Sequence, residues 1–176
     1  MASGFEAYAI PDSHITFLQE HPGFVHSYLD GEKPDEVDSA SLPEWWPQQA
    51  PKSLGSWGIN HRNIELYHWI LNGGPELATG SGSIFQTWYE PDTHNAVKLD
   101  PHNERFAFHV DQIAELDALV ARMDVPTVKS AFTAWCRSRG DQYEPDDMAC
   151  LSFTDEFGVF HAGLQEAMRN GHGIVW

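Results

Sequence analysis

Basic residues are scarce in this 176-residue chain, which carries 10 Lys and Arg against 26 Asp and Glu and has a formal net charge of −16 at pH 7. A surface of that sign repels phosphate, which removes the attraction that normally drives binding to nucleic acid or to an anionic membrane. Basic proteins are the partners that such a charge favours. The sequence therefore predicts a basic protein partner, and no direct binding to nucleic acid or to a membrane.

Cysteines and long apolar runs are also few. Cys136 and Cys150 form no Cys-x-x-Cys pair and are too few for a disulfide scaffold, so we expect two free thiols. Cys136 adjoins Trp135 on the inner side of a predicted helix, where burial disfavours the reactive thiolate. No apolar run approaches the ~20 residues of a membrane span, and residues 1–6 hold no basic residue ahead of an apolar stretch. These absences predict a cytoplasmic protein.

Familiar catalytic motifs are missing as well. Residues 80–83 (GSGS) match neither the Gly-x-Ser-x-Gly elbow of hydrolases nor a phosphate-binding loop, because they lack its lysine and its spacing. We interpret them as a flexible turn ahead of a strand. The sequence therefore offers no nucleophile in a recognisable setting.

Ten histidines suggest a metal site, since imidazole is a common transition-metal ligand. The best local group is His61, Glu65 and His68, which share one face of a predicted helix. Di-iron proteins use this Glu-x-x-His spacing in two copies, and the sequence has only one. We therefore interpret the group as the exposed polar stripe of a mostly buried helix, and we predict no metal and no other cofactor.

Apolar and aromatic residues are abundant: 41% of the residues are hydrophobic, and seven are Trp. A chain of this mass hides roughly 70% of its unfolded surface on folding, so a core forms without disulfides or metals. The length favours one domain over residues 1–176. Strand patterns fall at 5–10, 84–89, 104–110 and 173–176, and helical patterns at 12–22, 24–29, 60–72, 111–123, 126–140 and 154–170. This order predicts an α+β fold with a small mixed or antiparallel sheet and amphipathic helices packed on it.

Three local details follow from side-chain chemistry. Asp12 or Ser13 is expected to cap the first long helix, and Thr154 the last, because such side chains accept hydrogen bonds from the free N–H groups of a first turn. Apolar and other residues alternate along 104–110, which predicts a half-buried strand.

The order of motifs along the chain is also informative. It comprises an opening strand ending at Ala9-Ile10, then Asp12-Ser13 and a helix, an aromatic helix broken by NGGP at 72–75, a strand RFAF at 105–108, a turn with Tyr143 and Pro145, and a last helix closed by Gly171. This order resembles the YfbM-like family of uncharacterised bacterial proteins over nearly the whole chain. The resemblance implies a compact α+β fold and a domain of unknown function, and it carries over no catalytic residues.

Acidic residues concentrate in two segments between the predicted elements, and the first of these segments also contains two adjacent tryptophans. One is a long proline-rich loop over residues 30–51, and the other is an acidic connector before the last helix. The candidate partner-binding residues are Asp35, Glu36, Asp38, Trp45 and Trp46 in the loop, and Asp141, Glu144, Asp146 and Asp147 in the connector. Tryptophan is enriched at binding hot spots, where it acts as a rigid anchor. As alternatives, one or both tryptophans pack on the core, and the connector is a solvated charged loop.

These features favour a non-enzymatic, acidic protein-binding domain, most concretely an immunity-type inhibitor that covers the basic site of a cognate toxin. Such an inhibitor gains fast association and charge pairing from its acidic surface. Two alternatives stay open. One is a small metal-dependent enzyme with His61, Glu65, His68 or His109 as ligands, and the other is a structural module that forms homo-oligomers.

Overall fold

An antiparallel sheet of five strands lies at the centre of the computed structural model, which describes residues 5–34, 42–47, 49–57, 63–90, 95–100 and 105–176. The strands are β1 (Phe5–Pro11), β2 (Ser53–Trp57), β3 (Val97–Asp100), β4 (Arg105–Phe108) and β5 (His172–Val175). The helices are α1 (Asp12–Glu20), α2 (Val25–Asp30), α3 (Ile64–Asn72), α4 (Val110–Val120), α5 (Val125–Ser138) and α6 (Asp147–Arg169), together with 3-10 helices at Pro22–Phe24 and Ser81–Trp88. The predicted α+β class is confirmed.

The strand order is β2-β1-β5-β4-β3, so the last strand of the chain occupies the centre of the sheet. β5 pairs with β1 through Ala9 and Ile174, and with β4 through Phe108 and Ile174. β2 and β3 were not predicted from the sequence. They are the two edge strands, and their short segments SLGSW and VKLD lack a long alternation of apolar and polar residues.

Both faces of the sheet are covered. One face carries Phe106, Phe108 and Ile174 and packs in the larger core cluster with residues from α3 to α6. The other face carries Ala107 and Val175 and packs in a smaller cluster with side chains from α1, α2 and the 42–47 segment. The expectation of a half-buried strand at 104–110 was therefore wrong for β4, because helices and loop segments cover its second face as well.

The segment 84–89, predicted as a strand, forms the end of the 3-10 helix Ser81–Trp88 and the residue that follows it, Tyr89. Side chains from two neighbouring helices bind the start of this 3-10 helix. Glu115 Oε2 of α4 accepts from the backbone N–H of Ser81 (2.9 Å) and from its hydroxyl (3.1 Å). Asn72 Nδ2 of α3 donates to the carbonyl of Gly82 (2.9 Å). The GSGS segment is thus a packed helix start and not a flexible turn. Gly82 is required there, since a Cβ would meet Asn72 Oδ1.

The two predicted helix caps were also wrong. Pro11 precedes α1, and the carboxylate of Asp12 instead accepts from the backbone N–H of Val110 (2.8 Å), the first residue of α4. The last helix begins at Asp147, with Asp146 accepting from the N–H of Ala149 (2.8 Å). Thr154 lies inside that helix and donates to a carbonyl of the preceding turn.

Other expectations are confirmed. The strands at 5–10 and at the end of the chain form, as do the helices at 12–22, 24–29, 111–123 and 126–140. Both cysteines are buried and free, and burial raises the thiol pKa of each. Asp30, the first residue of the predicted 30–51 loop, is the last residue of α2; the other described residues of the loop, 31–34, 42–47 and 49–51, form no helix or strand. Among the described helices, none is both long and apolar enough to cross a membrane.

Candidate functional site

The smaller core cluster is overlaid by aromatic side chains from α1, α2, the short 3-10 helix between them and the 42–47 segment. We call this group the aromatic face, and it consists of His14, Phe17, His21, Phe24, Tyr28, Trp45 and Trp46. Ring contacts join the first five across the break between α1 and α2: Phe17 meets His21 and Phe24, and His14 meets Tyr28. The sequence analysis missed this group, because the residues belong to separate helices and connecting segments and only the fold brings their rings together.

The two adjacent tryptophans have different roles. Trp46 is 5% exposed, its indole N–H donates to the carbonyl of Glu32 (2.9 Å), and its ring meets Phe24 and Tyr28 edge-on. Trp45 is 37% exposed. Trp46 therefore packs in the core, the alternative left open for one of the two tryptophans, and Trp45 is the more exposed of the pair.

Trp45 is held in place by its neighbours. Its ring stacks on His14 at a centroid distance of 3.7 Å and an interplanar angle of 13°, and Phe17 meets it edge-on at 5.2 Å. A hydrogen bond of 2.6 Å between His14 Nδ1 and the hydroxyl of Tyr28 fixes the histidine ring in turn. An aromatic side chain held in this way loses little conformational freedom when a partner covers it.

His14 is uncharged at neutral pH. Burial lowers the pKa of its imidazole, and the nearby His172 lowers it further. Burial also raises the pKa of Tyr28, whose hydroxyl stays protonated. His14 and Tyr28 therefore form an uncharged hydrogen-bonded pair at neutral pH. Trp45 stacks on a neutral imidazole, and His14 adds no positive charge to the aromatic face.

Acidification is expected to destabilise the protein partly through His14. Because its folded pKa lies below the ordinary value of 6.5, its stabilising contribution is complete above pH 6.5 and is lost as the pH falls through the folded pKa. His14→Phe keeps a ring against Trp45 and removes the titration. Urea unfolding at about pH 7.5 and about pH 5.5 should show a smaller loss of unfolding free energy in the variant than in the wild type. Equal losses in the two proteins would contradict this assignment.

The layer that holds the aromatic face is strongly acidic. The described residues of this layer, 12–34 and 42–47, include five Asp and Glu and a single lysine. Glu20, Asp30, Glu32 and Glu44 are exposed there, and among the described residues none of them is in an ion pair. Asp35, Glu36 and Asp38, the predicted charges of the loop, lie outside the described residues. Of these exposed acids, Glu44 directly precedes Trp45 in the chain.

Each of the four candidate acids of the connector has a partner within the molecule. Lys129 Nζ lies 2.7 Å from Asp147, and Arg137 Nη2 lies 3.2 Å from Glu144, so α5 supplies cations to two of the four acids. Asp146 caps α6, and Asp141 accepts from a backbone N–H in its own turn. The sequence showed no basic residue within the connector, but the fold brings two beside it. Its charge is therefore less available to a partner than we expected.

The candidate metal ligands that the sequence offered do not come together in the described residues. Glu65 is exposed and pairs with Arg139 (3.3 Å). His68 is 1% exposed, and its Nε2 donates to the carbonyl of Glu76 (3.0 Å), so interpreting it as part of an exposed stripe was wrong. His61 lies outside the described residues. His109 Nδ1 lies 3.3 Å from Asp12. Within the described ranges, no group of three or more His, Cys, Asp or Glu is placed to hold a metal ion.

A small cavity lies beside the aromatic face. It measures about 250 Å³, and Tyr28, Pro47, Lys52 and His172 contribute to its walls. Lys52 Nζ lies 2.6 Å from Glu166 at this cavity. Tyr28 thus supports His14 and Trp45 and also forms part of an opening next to them.

In comparisons with known proteins, no family model, curated protein or solved structure matches this chain. The resemblance to the YfbM-like family therefore stays a prediction.

Proposed function

We propose that this chain is a non-enzymatic protein-binding domain, most concretely a cytoplasmic inhibitor of the immunity type that covers a basic site on a toxin domain. The observation that carries the proposal is Trp45, a half-exposed aromatic side chain held by His14 within an acidic layer. A toxin domain that acts on nucleic acid or nucleotides needs a basic active site. An acidic inhibitor associates quickly with such a site and forms charge pairs on covering it.

Three features at and around the aromatic face support this role. A rigid, partly exposed Trp is the type of residue that dominates binding energy at protein interfaces. The acids Glu20 and Glu44 belong to the same layer and are exposed, so they add long-range attraction for a basic surface. The small cavity next to Tyr28 gives an anchor side chain of the partner a place to enter.

The test starts from the tagged full chain expressed in its native host. The captured protein is identified by mass spectrometry, produced separately, and its binding is measured by calorimetry at low and high salt. We expect a basic partner whose affinity falls as salt rises. Trp45→Ala should weaken binding by roughly 30-fold or more, the size of a hot-spot loss.

Matched variants make the result specific. Tyr143→Ala removes an aromatic side chain that is 49% exposed on the connector, and it should leave the affinity within about twofold of the wild type, as expected for a residue outside the interface. Glu20→Gln with Glu44→Gln should slow association, whereas Asp155→Asn on α6 should not. An acidic partner, salt-independent binding, or equal losses for Trp45→Ala and Tyr143→Ala would each contradict the proposal.

A further inference from the structure

A second group of aromatic side chains lies on the opposite face of the sheet, between α3, the end of the 3-10 helix Ser81–Trp88 and α5. It surrounds a cavity of about 310 Å³, and we call it the aromatic cage. Trp69, Tyr89 and Trp135 supply its rings, and Glu65, Glu90 and Arg139 supply its charged groups. All three rings belong to partly buried side chains packed against the larger core cluster.

The electrostatics of the aromatic cage favour a cation. Ring faces of Trp and Tyr attract positive charge through their quadrupoles. Burial, followed by the charges of Glu65 and Glu90, raises the pKa of Tyr89 to about 12, and both glutamates line the cavity together with Tyr89. His68 also lines the cavity, and burial lowers its pKa, so its imidazole adds no positive charge at neutral pH. Glu65, Glu90 and Arg139 thus line the same cavity, and Arg139 is paired with Glu65.

The guanidinium of Arg139 shows how a cation is accommodated. Arg139 Cζ lies 5.0 Å from the ring centroid of Trp135, and its Nη1 lies 3.3 Å from Glu65 Oε2. The Arg139 side chain is more than half exposed, so little of it is fixed by packing. The chain's own cation therefore uses the ring and the carboxylate in the way an external cation would.

We propose that the aromatic cage is a binding site for a small organic cation of the alkylammonium class, with Trp69 and Trp135 against its apolar surface and Glu65 and Glu90 as counter-charges. Quaternary and alkylated ammonium groups are the ligands that such combinations of rings recognise. The cavity is at the small end of the range for ligand sites, which limits the ligand to the size of one head group with a short chain. Arg139 competes with the ligand for Trp135 and Glu65.

This site is independent of the proposed partner surface. The aromatic face packs with the smaller core cluster and the aromatic cage with the larger one, on opposite faces of the sheet. Trp45→Ala should therefore leave cation binding unchanged, and a failure of either proposal leaves the other standing.

The experiment uses choline as the probe and, as its control, the uncharged isostere in which carbon replaces the nitrogen. The full chain is labelled with ¹⁵N, and the indole N–H signals of Trp69 and Trp135 are followed during titration at constant ionic strength. We expect saturable shifts with choline, and binding of the isostere weaker by about tenfold or more, because a cation–π contact in a partly desolvated site contributes that much. Equal affinities, or no saturable shift with choline, would overturn the proposal.

Two arginine variants test the competition. Arg139→Gln frees Trp135 and Glu65 and removes a like charge, so it should tighten choline binding by roughly threefold to tenfold. Arg137→Gln makes the same change in net charge on the same helix, outside the aromatic cage, and should change the affinity by less than about twofold, as expected for a screened surface charge. Both side chains are exposed, so both variants should fold. Weaker or unchanged binding by Arg139→Gln would contradict a cation site at this position.

Discussion

Replacing Trp46 with alanine is expected to lower the free energy of unfolding by about 3–5 kcal/mol, the usual cost of removing a large buried aromatic side chain. Its ring fills the space between α2 and the segment that carries it, against Phe24 and Tyr28. The variant also leaves the carbonyl of Glu32 without the indole N–H that it accepts from. Trp45→Ala, by contrast, removes a ring that already faces solvent on one side, and it should cost only about 1 kcal/mol.

Urea unfolding followed by circular dichroism measures both variants in the same way. A large loss for Trp46→Ala with a small one for Trp45→Ala is the expected pair of results. Similar losses for the two variants would contradict the division into a core and a surface tryptophan. The comparison is closely matched, because the two residues are adjacent in the chain and lose the same side chain.

The difference matters for the proposed function. The rings of Trp45 and Trp46 lie 6.5 Å apart and are nearly parallel, so loss of Trp46 would also disturb the position of Trp45. A binding defect in Trp46→Ala would therefore reflect a damaged scaffold. Trp45→Ala removes the anchor while the layer beneath it stays in place, and it is the variant that tests the interface.

Gly173→Ala is expected to destabilise the protein by about 3 kcal/mol, the upper part of the range for overpacking a well-filled core. Gly173 lies in the central strand β5, where a Cβ would meet the backbone carbonyl of Phe108 and the side chain of Ile15. A Cβ there would also lie 3.0 Å from Asp12 Oδ1, the atom that accepts from the first N–H of α4. The backbone in this position cannot move without breaking pairing between β4 and β5.

Gly158→Ala is the matched control. This glycine is inside α6, and a Cβ added there would meet nothing within 4 Å. Alanine should therefore stabilise the protein by roughly 1 kcal/mol through helix propensity alone. Thermal and urea unfolding of both variants should give effects of opposite sign. Destabilisation by Gly158→Ala, or a neutral Gly173→Ala, would contradict the packing at these two positions.

Local patterns predicted those elements whose apolar residues recur at a helical or strand spacing. The stripe Ile113, Leu116, Val120 predicted α4, and Asn72 followed by Gly73 predicted the end of α3, where Gly73 has a φ of 76°. The 84–89 segment was assigned wrongly because a short apolar run is equally compatible with a strand and a buried helix. Glu115 and Asn72 decide the outcome there, through hydrogen bonds that the local sequence does not indicate.

The candidate site was predicted in part. The sequence indicated the acidic loop and the Trp45–Trp46 pair, but adjacent residues of the same type cannot be separated into core and surface by composition. His14 and Tyr28 were missed because their roles depend on contact across 14 residues of chain. The charge that the connector offers to a partner was overestimated, because Lys129 and Arg137 of α5 form ion pairs with two of its acids in the folded chain.

The sequence by itself determined the net charge, the size of the apolar core, the separate cysteines and most of the helices, because each of these follows from composition or from neighbours within a few residues. The tertiary structure decided which tryptophan is exposed, which acids are paired, and that Asp12 supports α4 instead of α1. Those outcomes depend on residues that are distant in sequence and adjacent in space, as Asp12 and Val110 are. A strand from the end of the chain holds the middle of the sheet for the same reason.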